Sequence, residues 1–301
     1  MQYRTLGKTG LNVSILSFGA SSLGGVFRDI DEQEAIRTVH TAVDLGINFI
    51  DVSPYYGLTK AETVLGKALL EIPRDKYFLA TKVGRYGAAE FDFSAARVKA
   101  SIDESLRRLN VDHIDLIQCH DIEFGDLDQI VNETVPALRE IQKSGKVRAV
   151  GITGLPLHIF EYVATRVEVD SILSYCHYSL NDTALEGSLS FLESKHLGII
   201  SASPLSMGLL TQRGAPSWHP AGQEIQQACA RAAAHCQSRG ADISKLALQF
   251  SLAQPRIHTT LVGSASPANM AKSVGWLEEP IDTQLLAEVR DILAPIHNQT
   301  W

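Results

Sequence analysis

The rhythm of apolar residues restricts this chain to very few folds. Eight short, mostly apolar runs, at residues 13–18, 47–52, 77–81, 114–119, 147–152, 171–176, 198–203 and 259–263, are separated by longer stretches of helical period. Runs of that length suit strands buried on both faces, and parallel neighbours need a crossover helix between them. The intervening stretches carry the marks of such helices. Asp31-Glu32-Gln33-Glu34 has capping-box spacing, after which Ile36, Val39 and Val43 fall on one face. Over 94–110, Val98, Ile102, Leu106 and Leu109 form an apolar stripe, while Arg97, Lys99, Asp103 and Arg107 point elsewhere. Ser144-Gly145-Lys146 reads as a helix end feeding the fifth run.

Eight such units without an internal linker predict a closed (β/α)8 TIM barrel, one domain over residues 1–301. About 250 residues is typical of that architecture. The excess is expected in a Pro/Gly-rich loop over 204–222 and in a final amphipathic helix over 283–293. A doubly wound open sheet is the alternative.

Composition narrows the function classes. No apolar run approaches the roughly 18 residues of a membrane span, and the polar N-terminus lacks the apolar core of a secretory signal, so a cytoplasmic location is expected. The cysteines at 119, 176, 229 and 236 show no CxxC spacing, which argues against a disulfide framework. Cys229 and Cys236 flank His235 in an Ala-rich helical stretch, where core packing is expected and a metal is not. The net charge of −7 and scattered basic residues leave no footprint for nucleic acid. The expected partner is a small molecule, and no pattern points to an oligomeric state.

In a barrel of this kind the chemistry sits where strands end. Asp51 lies at the end of the second run, Tyr56 follows on the loop Asp51-Val52-Ser53-Pro54-Tyr55-Tyr56-Gly57, and Lys82 and His120 lie just past the ends of the third and fourth. Asp51 and Lys82 would come from neighbouring strands about 4.8 Å apart, close enough to pair. An ammonium about 4 Å from the phenol would favour phenolate by roughly 4 kcal/mol at an effective dielectric of about 20. Burial opposes this, and the net expectation is a Tyr56 hydroxyl closer to the working pH. His120 can hydrogen-bond the reacting oxygen. Singly these residues are ordinary loop and strand-end material; together, at three successive strand ends, they read as a catalytic set.

At these positions the chain resembles the aldo-keto reductase superfamily. The matching pieces are Leu45-Gly46-Ile47-Asn48-Phe49-Ile50-Asp51, Tyr56-Gly57, Ala80-Thr81-Lys82, Ser105-Leu106-Arg107-Arg108-Leu109, Asp115-Leu116 with His120, Gly145-Lys146-Val147-Arg148-Ala149-Val150-Gly151 and Ser203-Pro204-Leu205. Pieces such as Phe91-Asp92-Phe93-Ser94, His120-Asp121-Ile122-Glu123 and Trp218-His219-Pro220 are similar to its aldose 1-dehydrogenase members.

The resemblance implies that Tyr56 transfers the proton, that Lys82 and Asp51 tune it, and that His120 orients the substrate. It implies a nicotinamide dinucleotide lying across the barrel mouth, consistent with the absence of a G-x-G-x-x-G motif. The matching cofactor contacts are Gly19, Ser21, Thr153, Tyr175, Ser203, Pro204, Leu205, Gly208, Gly263, Ser264, Ala265, Asn269 and Ser273. The chain departs from the common pattern at Thr153-Gly154, Tyr175 and Ala202. Members that prefer NADP place Lys and Arg where this chain has Gly263 and Asn269, so NAD is expected over NADP, with Lys272 nearby as the competing cation. Asp121, Glu123, Trp218 and His219 are the candidate sugar contacts. The implied activity is oxidation of an aldose at C1, L-galactose-like with L-fucose-like or D-arabinose-like sugars next, to the aldonolactone. An NADPH-dependent carbonyl reductase and a cofactor-sensing regulatory subunit are the alternatives.

Overall fold

The computed structural model describes residues 1–26 and 29–301. Eight parallel strands close into a barrel: β3 (Leu16–Gly19), β4 (Phe49–Asp51), β5 (Phe78–Val83), β6 (Ile114–Cys119), β7 (Val147–Gly154), β8 (Ser171–Tyr175), β9 (Gly198–Ala202) and β10 (Thr259–Gly263), with β10 returning to pair with β3. Ahead of them, β1 (Tyr3–Thr5) and β2 (Asn12–Ser14) form an antiparallel hairpin. The predicted run over 13–18 is therefore two strands. The chain breaks at Ile15, where it leaves the hairpin and enters the barrel.

The helices are α1 (Glu32–Asp44), α2 (Lys60–Leu69), α3 (Ala95–Leu109), α4 (Leu127–Gln129), α5 (Val135–Lys143), α6 (His158–Ala164), α7 (Glu186–Ser194), α8 (Gln223–Ser238), α9 (Ile243–Leu252), α10 (Pro267–Gly275) and α11 (Thr283–Leu293). Their starts follow from local chemistry. Asp31 accepts the Glu34 N–H at 2.7 Å, and Asp282 accepts that of Leu285 at 2.9 Å. On α3 the predicted stripe faces inward, with Val98, Ile102 and Leu109 fully buried. The loop over 204–222 contains one short 3-10 turn, Ser206–Gly208. Among the described residues, no helix is long and apolar enough to cross a membrane.

Strand alternation then places the site. Phe49, Ala80, Leu116, Leu173, Ile200 and Leu261 share one apolar cluster inside the barrel. Side chains two residues on point the same way, which brings Asp51, Lys82, Gln118, Tyr175, Ala202 and Gly263 to the layer above, at the carboxyl ends of the strands. Leu6, Leu11 and Val13 from the hairpin join the cluster from the opposite end and close it.

Candidate active site

The strand ends open into a cavity of about 1250 Å³. Register explains its floor. Asp51 lies opposite Ala80, and Lys82, two residues further along β5, lies opposite Gln118 on β6. The Lys82 ammonium therefore reaches back to Asp51 Oδ1, and it also donates to the Val52 carbonyl at 2.9 Å. Gln118 Nε2 donates to Asp51 Oδ2 at 2.7 Å. With Asp51 and Lys82 only 2% and 1% exposed, water does not separate the pair. Burial pushes the Asp51 carboxyl above its ordinary value, against the pull of Lys82 and Gln118.

Tyr56 hangs over this floor. Lys82 Nζ is 4.9 Å from the centre of its ring, and the His120 imidazole meets the ring edge-on at 5.6 Å. The loop is pinned by a close approach of two glycines. A Cβ on Gly24 would lie 2.7 Å from the Tyr56 carbonyl oxygen, and Gly57, with φ +62°, packs back against Gly24. The expected shift of Tyr56 toward working pH does not occur in this arrangement. Burial, then the carboxylates of Asp51 and Asp121, hold its hydroxyl well above the ordinary value of 10, with Arg85 pulling the other way. The charge of Lys82 is answered by Asp51 directly beneath it, so little of it is left to favour phenolate.

His120 follows β6 and is locked on both sides. Its Nδ1 lies 2.9 Å from Ser53 Oγ, and its Nε2 lies 3.6 Å from Asp121 Oδ2. Ser53 Oγ already accepts the Tyr55 N–H at 3.1 Å, leaving its own proton for Nδ1; the carboxylate beside Nε2 favours the ring proton there. Burial lowers the imidazole to about 3, so His120 is a neutral donor at working pH.

Asp121 takes a left-handed backbone conformation, φ 50°, and its N–H donates to Thr153 Oγ1 at 2.9 Å. Burial alone would raise its carboxyl, but the His120 ring N–H beside it and the cations of Arg85 and Lys82 outweigh that and lower it. Arg85 is paired with Asp121, and its guanidinium carbon lies over Tyr55, 4.0 Å from the ring centre, with Phe91 and Phe124 at 5.3 and 5.2 Å.

The cavity wall gathers most of the residues expected from the sequence. Asp51, Tyr56, Lys82 and His120 line it together with Gly19, Ser21, Thr153, Tyr175, Ser203, Pro204, Leu205, Gly208, Gly263, Ser264, Ala265, Asn269, Asp121 and Trp218. Three expected residues lie outside the lining. Glu123 turns away, accepting the Leu155 N–H at 2.9 Å. His219 is buried, its Nε2 3.1 Å from the Ser206 carbonyl and its Nδ1 accepting the Ala221 N–H at 3.1 Å. It backs the rim instead, stacked on Trp218 and edge-on to Trp301. Ser273 donates to the Asn269 carbonyl at 3.0 Å, within its own helix.

Sequence reasoning passed over Glu34, Tyr55, Arg85, Arg213 and Trp301, which also line the cavity, and Ser53 and Gln118, which hold His120 and Asp51. Gln118 had a usable signal, since it sits two residues before His120 on an inward face. The donor chemistry fits a long ligand with phosphates, riboses and a flat base. Hydroxyls of Ser21, Ser22, Ser203, Ser264 and Ser266, the Asn269 amide and the Arg213 guanidinium alternate along the wall with Val26, Ile30 and Leu205.

Comparison with known proteins shows the family. The model of the "Aldo/keto reductase family" matches residues 15–294. The chain is 54% identical to the L-galactose dehydrogenase of Arabidopsis thaliana, over all of this chain and 97% of that protein. It is 34% identical to the D-arabinose 1-dehydrogenase of Saccharomyces cerevisiae, over 81% of this chain and 76% of the relative. Among solved structures, the aldo-keto reductase AKR11C1 from Bacillus halodurans, in its holo form, superposes with a TM-score of 0.82 at 29% identity, covering all of this chain and 98% of the other.

Proposed function

Because this chain belongs to the aldo/keto reductase family, and so is an oxidoreductase of nicotinamide cofactors, we propose that it is an NAD-dependent aldose 1-dehydrogenase acting on an L-galactose-like sugar. The observation that carries the proposal is the 54% identity to an L-galactose dehydrogenase over the entire chain. The convergence of Asp51, Tyr56, Lys82 and His120 on one cavity floor supports the same chemistry.

In the reaction, the C1–H bond of the cyclic sugar breaks as hydride, the anomeric O–H gives up its proton, and C1 becomes the lactone carbonyl. The bound nicotinamide supplies the hydride acceptor and, while oxidised, a positive charge at the mouth. Tyr56 takes the proton at its hydroxyl oxygen, and it must be phenolate to do so. Lys82 and Asp51 set the charge beneath it. The His120 Nε2–H hydrogen-bonds the C1 oxygen without giving up its proton and would hold C1 facing the acceptor. Asp121, held ionised by Arg85, accepts from a sugar hydroxyl, and Trp218 and Trp301 offer apolar faces at the rim.

The absence of cations at Gly263 and Asn269 supports NAD, and so does the engagement of Lys272 elsewhere. Its ammonium pairs with Asp242 at 2.9 Å and lies 5.0 Å from the Trp276 ring centre, outside the cavity lining.

A panel of aldoses assayed with NAD, with the product identified as lactone, tests the proposal. L-Galactose should rank first or close to it. Tyr56→Phe should lose about 10²-fold or more in turnover while keeping nucleotide affinity; near wild-type turnover would remove Tyr56 from the mechanism.

A further inference from the structure

We propose that Glu34 selects the cofactor: its carboxylate receives the free 2'-hydroxyl of the adenosine ribose and repels a 2'-phosphate. This rests on the NAD reading above and assigns the selection to one residue. In the barrel β3 and β10 are neighbours, and the helices that follow them, α1 and α10, pack side by side. Their first turns therefore meet at the mouth. Glu34 is in the first turn of α1 and lines the cavity beside Ser22, Val26, Ile30, Ser266 and Asn269.

Three features of this corner favour a neutral ribose over a phosphate. The side chain of Glu34 makes no hydrogen bond or ion pair with any described residue, because the capping interaction uses only its backbone N–H, donated to Asp31. A carboxylate at a cavity wall with no described side-chain partner can accept from adjacent ribose hydroxyls. Val26 and Ile30 supply an apolar surface for a flat base next to it. Among the described residues, the lining contributed by the β3 loop, α1, the β10 loop and α10 contains no lysine or arginine. A group carrying up to two negative charges would meet the Glu34 carboxylate there, with no described cation in this part of the lining to offset it.

The test is binding, without turnover. Affinities of NAD, NADP and the fragment 2',5'-ADP are measured by calorimetry or protein fluorescence for wild type and Glu34→Gln, with thermal unfolding to verify that both are folded. The expected result is a wild-type preference for NAD that shrinks by roughly tenfold or more in the variant, through weaker NAD binding together with tighter NADP and 2',5'-ADP binding. High salt should narrow the wild-type preference and leave the variant nearly unchanged. If wild type prefers NAD and the variant keeps the same ratio, selection lies elsewhere and the assignment to Glu34 is overturned. If wild type shows no preference yet the variant moves toward NADP, Glu34 acts as proposed and only the NAD reading fails. If neither protein discriminates, both fail.

Discussion

Acidification should weaken this protein by an amount traceable to one imidazole. His120 is enclosed, with its titration lowered from an ordinary value of 6.5 to about 3. Between those values the unfolded chain binds a proton that the native ring refuses, so stability is complete above the ordinary value and falls as pH drops toward the native one. At about pH 5 the loss from this group is about 2 kcal/mol, obtained from about 1.4 kcal/mol per pH unit over about 1.5 units. The perturbation that isolates it is His120→Asn, which keeps a side chain able to bond Ser53 but cannot take up the proton. Urea unfolding of both proteins at about pH 7.5 and about pH 5 gives four free energies, and groups unaffected by the substitution cancel in the double difference. Wild type should lose about 2 kcal/mol more than the variant. Equal losses would mean that the ring titrates normally in the native protein, and the assignment of a permanently neutral donor would fall with it.

Because Tyr56 is held high by burial and by Asp51 and Asp121, oxidation should speed up with alkalinity, about tenfold in kcat per pH unit while the phenol is mostly protonated. Arg85→Met removes the cation that opposes those carboxylates and should move this limb to higher pH, with Arg85→Lys restoring part of the shift; an unmoved profile would show that Arg85 does not reach the phenol. Gly24→Ala drives a methyl group into the Tyr56 backbone and should cost about 2 kcal/mol in unfolding experiments, with a larger proportional loss of turnover. Wild-type behaviour in both would show that the two loops yield easily.

Much of the barrel could be read in advance. The runs over 114–119 and 259–263 are strands residue for residue, and the last helix spans 283–293, because a buried strand or an amphipathic helix leaves its period in the chain. What escaped is what depends on neighbours distant in sequence. β1 has only three residues and an unremarkable composition, and it exists because β2 pairs with it. Lys82 falls inside β5, whose pairing with β6 carries the strand two residues past its apolar run. The four residues were legible as a set because alternation brings Asp51 and Lys82 to one layer and the loops after β4 and β6 carry Tyr56 and His120 to the same cavity. Their electrostatics were not. Tyr56 is held high first by burial and by Asp51, and then by Asp121, a loop residue in an unusual backbone conformation that no periodicity announces. Glu123 and His219 looked like sugar contacts because they sit on loops beside the mouth. They turn instead to the Leu155 N–H and the Ser206 carbonyl, partners visible only in three dimensions.

The apolar plug beneath the reacting layer has a bearing on traffic. Phe49, Ala80 and Leu116 lie directly under Asp51, Lys82 and Gln118, and the hairpin leucines stopper the far end. Under the proposed mechanism this apolar layer closes the underside of the site, and a proton collected at Tyr56 leaves by the doorway through which the sugar came. In that reaction, departure of the lactone and discharge of the proton would share one exit, and whatever crowds the rim near Trp218 and Trp301 would slow both together.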